Sequence, residues 1–439
     1  MSIPTLQGLQ TALSGLLAEQ QALDVTGSNI TNSDTEGYTR ETADLQTNLP
    51  ITIPATNSIT GRGAQLGTGV SVGNIARVRN SYLDAQYRTQ NSALSNASTQ
   101  AEVLSQAQTA FNEPSSAGIA SQLSTFWSAW TSLADSPTSE AGQAAKDAVV
   151  ADGKQLATTF NQLSAQLSTI ASQAKEQFTS LTGHGGEVED YANQIAQLNH
   201  QIKLAEEAGQ QPNNMLDRRD LLLDKLSSLA NITVAEQPDH TDTVTFGDAA
   251  KPLVEGSTVN WPQALTEKAG GQLGALLGLT GPKGALTAIQ TSLDGVAETL
   301  ATTVNEHLSK PFFSGNTAAT LAVAVTSKEV SASTGEAEGG NEAALNIAAL
   351  RGGAAEQDYA GLIGQVGSEV RSAKDDETNL QTTVTAINDQ RQAVSGVSLD
   401  EEMTSLITFQ RGYQASARTL TAMDQMLETL IEHTGTAGL

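Results

Sequence analysis

The sequence predicts a mainly α, elongated, multi-domain protein with paired N- and C-terminal coiled-coil-like helices, a long helical bundle and a small inserted β-rich domain. Three observations carry that prediction. Aromatic residues make up only 4% of the 439 residues, and a chain rich in Ala, Gln, Ser, Thr and Leu builds long helices with thin apolar seams rather than one thick core. Heptad-spaced apolar residues occupy both chain ends. Near Asn231 the period changes from helical to alternating.

At the N-terminal end Leu6, Leu9, Leu13, Leu16 and Leu23 recur at heptad steps, with Gln20 in the one polar slot. The stripe stops at "NITNSDTEGYTR", Asn29 to Arg40, where Asn32, Ser33, Asp34 and Gly37 supply turn and cap chemistry. At the other end Leu399, Met403, Leu406, Gln410, Tyr413, Ala417, Leu420, Asp424, Leu427 and Ile431 step by four and three. A leucine seam can simply pack on its own domain. An isolated helix of this kind is marginal until its stripe is covered, so each end requires a partner, either the other terminus or a neighbouring subunit.

These patterns divide the chain into a terminal coiled coil (1–35 with 399–439), a helical bundle (36–230 with 280–398), a β-rich insertion (231–279) and a thin, low-complexity segment at 310–340. Pro and Gly break the bundle helices at "NEPSSAG", "DSPTSE" and "TGHGGE". In "DRRDLLLDKLSSL" the leucines face the bundle, while Asp217, Arg218, Arg219 and Asp220 read as a solvated charge cluster. Phe126, Trp127 and Trp130 lie together on one helix, as core packing or, alternatively, as a stacking platform for a ligand. Beyond Asn231, "NITVAEQPDHTDTVTFGD" and "KPLVEGSTVNW" carry the β-branched alternation of short strands.

A net charge of −25 repels phosphate backbones and anionic membrane surfaces. No apolar run approaches the ~20 residues of a spanning helix. The absence of cysteine excludes disulfides and thiolate metal sites. Among five histidines only His184 has a carboxylate, Glu187, at a ligand-like spacing, and no metal, phosphate-loop or nucleophile-elbow motif accompanies it. "GRGAQLGTGVSVG" has the wrong glycine spacing, at Gly67, Gly69 and Gly73, for a dinucleotide fingerprint. No catalytic residue and no cofactor are expected. The opening "MSIPTLQGLQ" has neither the basic nor the apolar region of a cleavable secretion signal.

The stretch "ALSGLLAEQQALDVTGSNITNSDTEGYTR" closely resembles the N-terminal signature of flagellar rod, hook and hook-associated axial proteins. "GTGVSVGNIARVRNSYLDAQYRTQNS" is similar to the segment that follows it in the hook-associated branch. "SGVSLDEEMTSLITFQRGYQASARTLTAMDQMLETLI" resembles the matching C-terminal signature in the form of the hook-associated protein 1 family, and "NNMLDRRDLLLDKLSSL", "GGQLGALLGL" and "DYAGLIGQVGSEV" agree with that family's body. The resemblance covers most of the chain. It departs at 311–340, where relatives carry a larger outer domain.

The resemblance implies a structural role, with no enzyme activity: terminal helices forming the inner tube of the flagellar axis, in a ring of identical subunits at the hook-filament junction. Implied partners are the hook protein below, the next hook-associated protein and flagellin above, and an export chaperone, with export by the flagellar type III route without a cleaved signal. The implied assembly positions are Leu6, Leu9, Leu13, Leu16, Leu23, Asn29, Asn32, Gly37, Tyr38, Arg40, Leu399, Met403, Leu406, Tyr413, Leu420, Leu427 and Ile431. Two alternatives stand beside it: a hook or distal-rod protein with the same terminal signatures, and an exported hydrolase built around His184 and Glu187.

Overall fold

The computed structural model describes residues 4–53, 64–138, 140–333 and 340–434. Helix α1 (Pro4–Thr31) leads through a turn into a long two-stranded ribbon, β1 (Glu41–Thr47) and β2 (Ile51–Ile53) returning as β3 (Ala64–Leu66) and β4 (Val70–Arg77). Strand β1 pairs antiparallel with β4, and β2 with β3. Most ribbon side chains are exposed on both faces, which is why its sequence shows no clean alternation. Residues 41–77 were expected in the helical bundle; the described ones form these four strands and their connections, the turn residues at 32–37 redirecting the chain back along α1.

Asn80 then caps α2 (Ser81–Phe111), its side chain accepting from the Tyr82 and Leu83 amides. The three predicted breaks separate α2, α3 (Ile119–Asp135), α4 (Glu140–Thr182) and α5 (Glu187–Glu207); a further break at 208–212, not expected from the sequence, precedes α6 (Asn213–Leu229). An antiparallel meander follows, β5 (Ile232–Glu236), β6 (Asp242–Phe246), β7 (Val254–Glu255) and β8 (Thr258–Val259), in that spatial order. The strands of the insertion end there. Residues 271–279, expected in the β-rich piece, belong to α7 (Gly271–Thr280), whose buried Leu273 and Leu276 are spaced for a helix packed on α2.

Helix α8 (Ala285–Asn305) precedes two short strands, β9 (Phe313–Ser314) and β10 (Ala322–Val323), then α9 (Glu342–Ala348), α10 (Ala354–Ser395) and α11 (Leu399–Thr434). The described part of 310–340 is not an outer segment. Phe312 and Phe313 are buried and meet edge to face with ring centroids 4.8 Å apart, and Phe312 lies 5.6 Å from both Phe126 and Trp130. These rings form the core of the distal bundle, so Trp127 and Trp130 are packing residues, with the Trp127 indole donating to Glu356. A second core lies under the meander, where Val244, Phe246 and Val254 meet the leucines of α6. Helices α2 and α10 run the length of the bundle and bring its near end to the base of α1 and α11.

Candidate assembly surface and the joint beneath it

Helices α1 and α11 form an antiparallel hairpin in which each advance along one is matched by a retreat along the other: Gly8 lies at Met423, Gly15 at Ser416, Glu19 at Gly412 and Asn29 at Glu402. On α1 the contact row is Gly8, Thr11, Gly15, Ala18, Ala22, Val25 and Asn29, itself a heptad of threes and fours, made of small residues. Such residues let two helix axes approach closely. A Cβ added at Gly15 would stand 3.1 Å from the Ser416 hydroxyl, and one at Gly412 2.5 Å from the Glu19 carboxylate.

The leucine stripe does not enter this contact. Leu13 and Leu17 are 45% and 52% exposed, and Leu9, Leu16 and Leu23 lie half-buried on the flank; the side chain of Leu6 falls outside the described residues. On α11, Leu406, Tyr413, Leu420 and Leu427 are half-buried beside the contact, whereas Leu399, Met403, Ile407, Met426 and Ile431 face outward. Of the two partners that the seams require, the other terminus therefore takes the glycine and alanine face, covers the flanking leucines only in part and leaves Leu13, Leu17, Leu399, Met403, Ile407, Met426 and Ile431 exposed. Leu17 and Ile407 were missed in the sequence because they fall outside the strict heptad.

Asn29 anchors the base of the hairpin. It is 1% exposed and its amide is fully engaged: Nδ2 donates to the Glu41 carbonyl (2.8 Å) and to Glu402 (3.1 Å), and Oδ1 accepts from the Glu41 amide and the Tyr38 hydroxyl, both at 2.9 Å. One side chain thus ties α1, the start of β1 and the first turn of α11. Asn32 closes the turn by donating to the Ser28 carbonyl. Gly37 turns at φ +81°, and a Cβ there would meet Leu221 at 3.1 Å, so both backbone and space require glycine. Arg40 donates through its amide to the Ser395 carbonyl, where α10 ends, and its guanidinium pairs with Glu401 at 2.9 Å.

Below Asn29 the solvated cluster expected at 217–220 is instead mostly interior; only Arg218 is exposed. Four arginines, Arg77, Arg79, Arg88 and Arg391, interleave with four aspartates, Asp84, Asp217, Asp220 and Asp224, at 2.7–3.1 Å. The set is electrically neutral and joins β4, α2, α6 and α10. Asp217 also accepts from the Thr39 amide at 3.0 Å, connecting the network to the joint. Burial opposes ionisation of Asp220, but Arg79, Arg88 and Arg77 outweigh it and hold the carboxyl below its usual range. Arg219 turns the other way, to Asp242 on β6 at 2.9 Å, and also donates to the Asn199 side chain and the His240 carbonyl; burial raises that carboxyl's pKa and lowers the guanidinium's.

A cleft of about 540 Å³ opens between the 33–39 turn, α2, α6 and the end of α10, lined among others by Tyr87, Lys225 and Asn388. The Arg79 and Arg391 guanidinia on its wall already have aspartate partners, and Arg391 lies 4.2 Å over the Tyr87 ring. His184 is almost fully exposed and pairs with Glu189, not with Glu187, at 3.0 Å. Among the described residues no group of three His, Cys, Asp or Glu could hold a metal ion.

Comparison with known proteins gives the following. Residues 104–321 match the family described as flagellar hook-associated protein FlgK helical domain, residues 9–39 that of flagella basal body rod protein, and residues 389–432 that of flagellar basal body rod FlgEFG protein C-terminal. Flagellar hook-associated protein 1 of Bacillus subtilis is 30% identical over 99% of both chains. The protein of the same name in Escherichia coli is 30% identical over 60% of this chain and 45% of its own. A solved flagellar hook junction protein FlgK from Burkholderia pseudomallei is 24% identical, covering 51% of this chain and 43% of its own, with a TM-score of 0.44.

Proposed function

The chain belongs to the flagellar hook-associated protein 1 family, a structural component of the bacterial flagellum, and we propose that it forms the hook-filament junction by polymerising into a ring through α1 and α11. Membership associates it with other axial proteins of the flagellum. The finer partners belong to the proposal: other copies of this chain at the sides, the hook protein below, the next hook-associated protein and flagellin above, and an export chaperone before assembly.

One observation carries the reading. The hairpin closes through small residues and leaves Leu13, Leu17, Met403 and Ile431 exposed, a surface that gains from burial only when a further chain covers it. The positions implied in the sequence then divide by task. Leu9, Leu13, Leu16, Leu23, Leu399, Met403, Leu406, Tyr413, Leu420, Leu427 and Ile431 offer contact area, while Asn29, Asn32, Gly37, Tyr38 and Arg40 set the angle at which the hairpin leaves the bundle.

The test is a strain lacking its own copy, complemented with the Leu13→Asp, Leu17→Asp double variant. The purified variant melts like the wild type, because surface substitutions of this sort change stability by about 0.5 kcal/mol or less, yet the cells carry hooks without filaments. Normal swimming by that strain would remove the proposal.

A further inference from the structure

We propose that neighbouring copies pack head to tail around the ring, with Arg411 and Arg418 on α11 of one copy set against the Glu19 and Asp24 flank of α1 on the next. The inference rests on the ring reading above and adds the orientation of its contacts.

The charge distribution of the hairpin is lopsided. Helix α1 carries Glu19 and Asp24 and no lysine or arginine, whereas between Met403 and Met423 the only charged residues of α11 are Arg411 and Arg418. Seven residues apart, these two share one helix face at a separation of about 10 Å. Both are exposed, and among the described residues neither has an ion-pair partner. The acids of α11 lie outside this window, at 400–402 and from Asp424 onward.

Glu19 is the matching deficit. Its carboxylate lies flat over Gly412, and its Oε2 is buried without a hydrogen-bond partner among the described residues. Burial raises its pKa, the mark of a carboxylate short of compensation. Because Glu19 stands at the height of Gly412, Arg411 of a copy placed alongside at the same height arrives next to it and can meet Oε1, the carboxylate oxygen that is not fully buried. An α1-to-α1 contact would instead set acids against acids, with no cation on either side. The heterologous contact is the kind that closes into a ring when its rotation divides the circle.

The experiment measures polymerisation of the full-length chain by light scattering and sedimentation at low and high salt. Glu19→Arg and Arg411→Glu each raise the concentration needed for half-assembly about tenfold, and the double variant, which restores opposite charges across every contact, recovers most of that loss. Glu19→Gln, which keeps the packing over Gly412, weakens assembly at low salt and flattens its salt dependence. If the single reversals assemble like the wild type while Leu17→Asp does not, the charge pairing is wrong and the ring reading survives. A double variant no better than its weaker parent also overturns the pairing. If Leu17→Asp assembles normally as well, both fall.

Discussion

The distal bundle and the terminal hairpin use their apolar residues in opposite ways. In the bundle the largest side chains, Trp127, Trp130, Phe126, Phe160, Phe312 and Phe313, lie inside. In the hairpin glycine, alanine and serine line the inside, and Leu13, Leu17, Leu399, Met403 and Met426 lie outside. The bundle completes its own burial within one chain. The hairpin keeps only enough contact to hold two helices together and reserves its larger apolar area for others.

The comparison can be broken most forcefully at the bundle. Trp130→Ala empties a fully buried site between Phe126 and Phe312 and costs about 3 to 5 kcal/mol, read as a lower urea midpoint for the bundle. Next comes the joint between the two regions. Asp220→Asn removes a carboxylate shared by Arg77, Arg79 and Arg88 and costs about 3 kcal/mol at neutral pH. Because Asp220 has a lowered pKa in the folded chain, its contribution is present above the unfolded carboxylate value, about 3.9, and is lost as pH falls through the folded value. The thermal melts of wild type and Asp220→Asn therefore differ at pH 7 and converge in acid. A gap that widens in acid would contradict the role assigned to Asp220.

The smallest effect sharpens the hairpin side. Gly412→Val sets a branched side chain against the Glu19 carboxylate, which must swing aside, and loosens the helix pair at a cost of about 1 kcal/mol. Faster hydrogen exchange in α1 and α11, with unchanged exchange in α3 and α8, is the expected readout. Uniform acceleration across the chain would mean that hairpin and bundle are one cooperative unit.

Most of the helices and their breaks were legible, because Pro, Gly and Asn punctuate them and tertiary context did not override local preference. The partner of each leucine seam was not. Periodicity reports which residues share a face, and the small-residue row from Gly8 to Asn29 has the same period with almost no hydrophobic weight. The charge cluster at 217–220 defaults to water in sequence because the arginines that bury it lie 132 to 167 positions away along the chain at Arg88 and Arg391, joined through Asp220 and Asp224. Asn29 looked like part of a turn; its reach to Glu402, 373 residues distant, has no local signal. The ribbon escaped because strands exposed on both faces carry no alternation.

Asn29 and Arg40 have a mechanical consequence in a rotating organelle. The chain passes between hairpin and bundle twice, once near residue 78, after the ribbon has returned along α1, and once near residue 397, and the two crossings are strapped by Arg40, whose carbonyl accepts from the Val78 amide and whose amide donates to Ser395, and by Asn29 between Glu41 and Glu402. A single crossing would be a swivel. Two crossings fastened side by side form a hinge plate that bends about one axis and resists torsion about the other, so twist applied to the hairpin enters the bundle along α2 and α10 together instead of winding up one connecting strand.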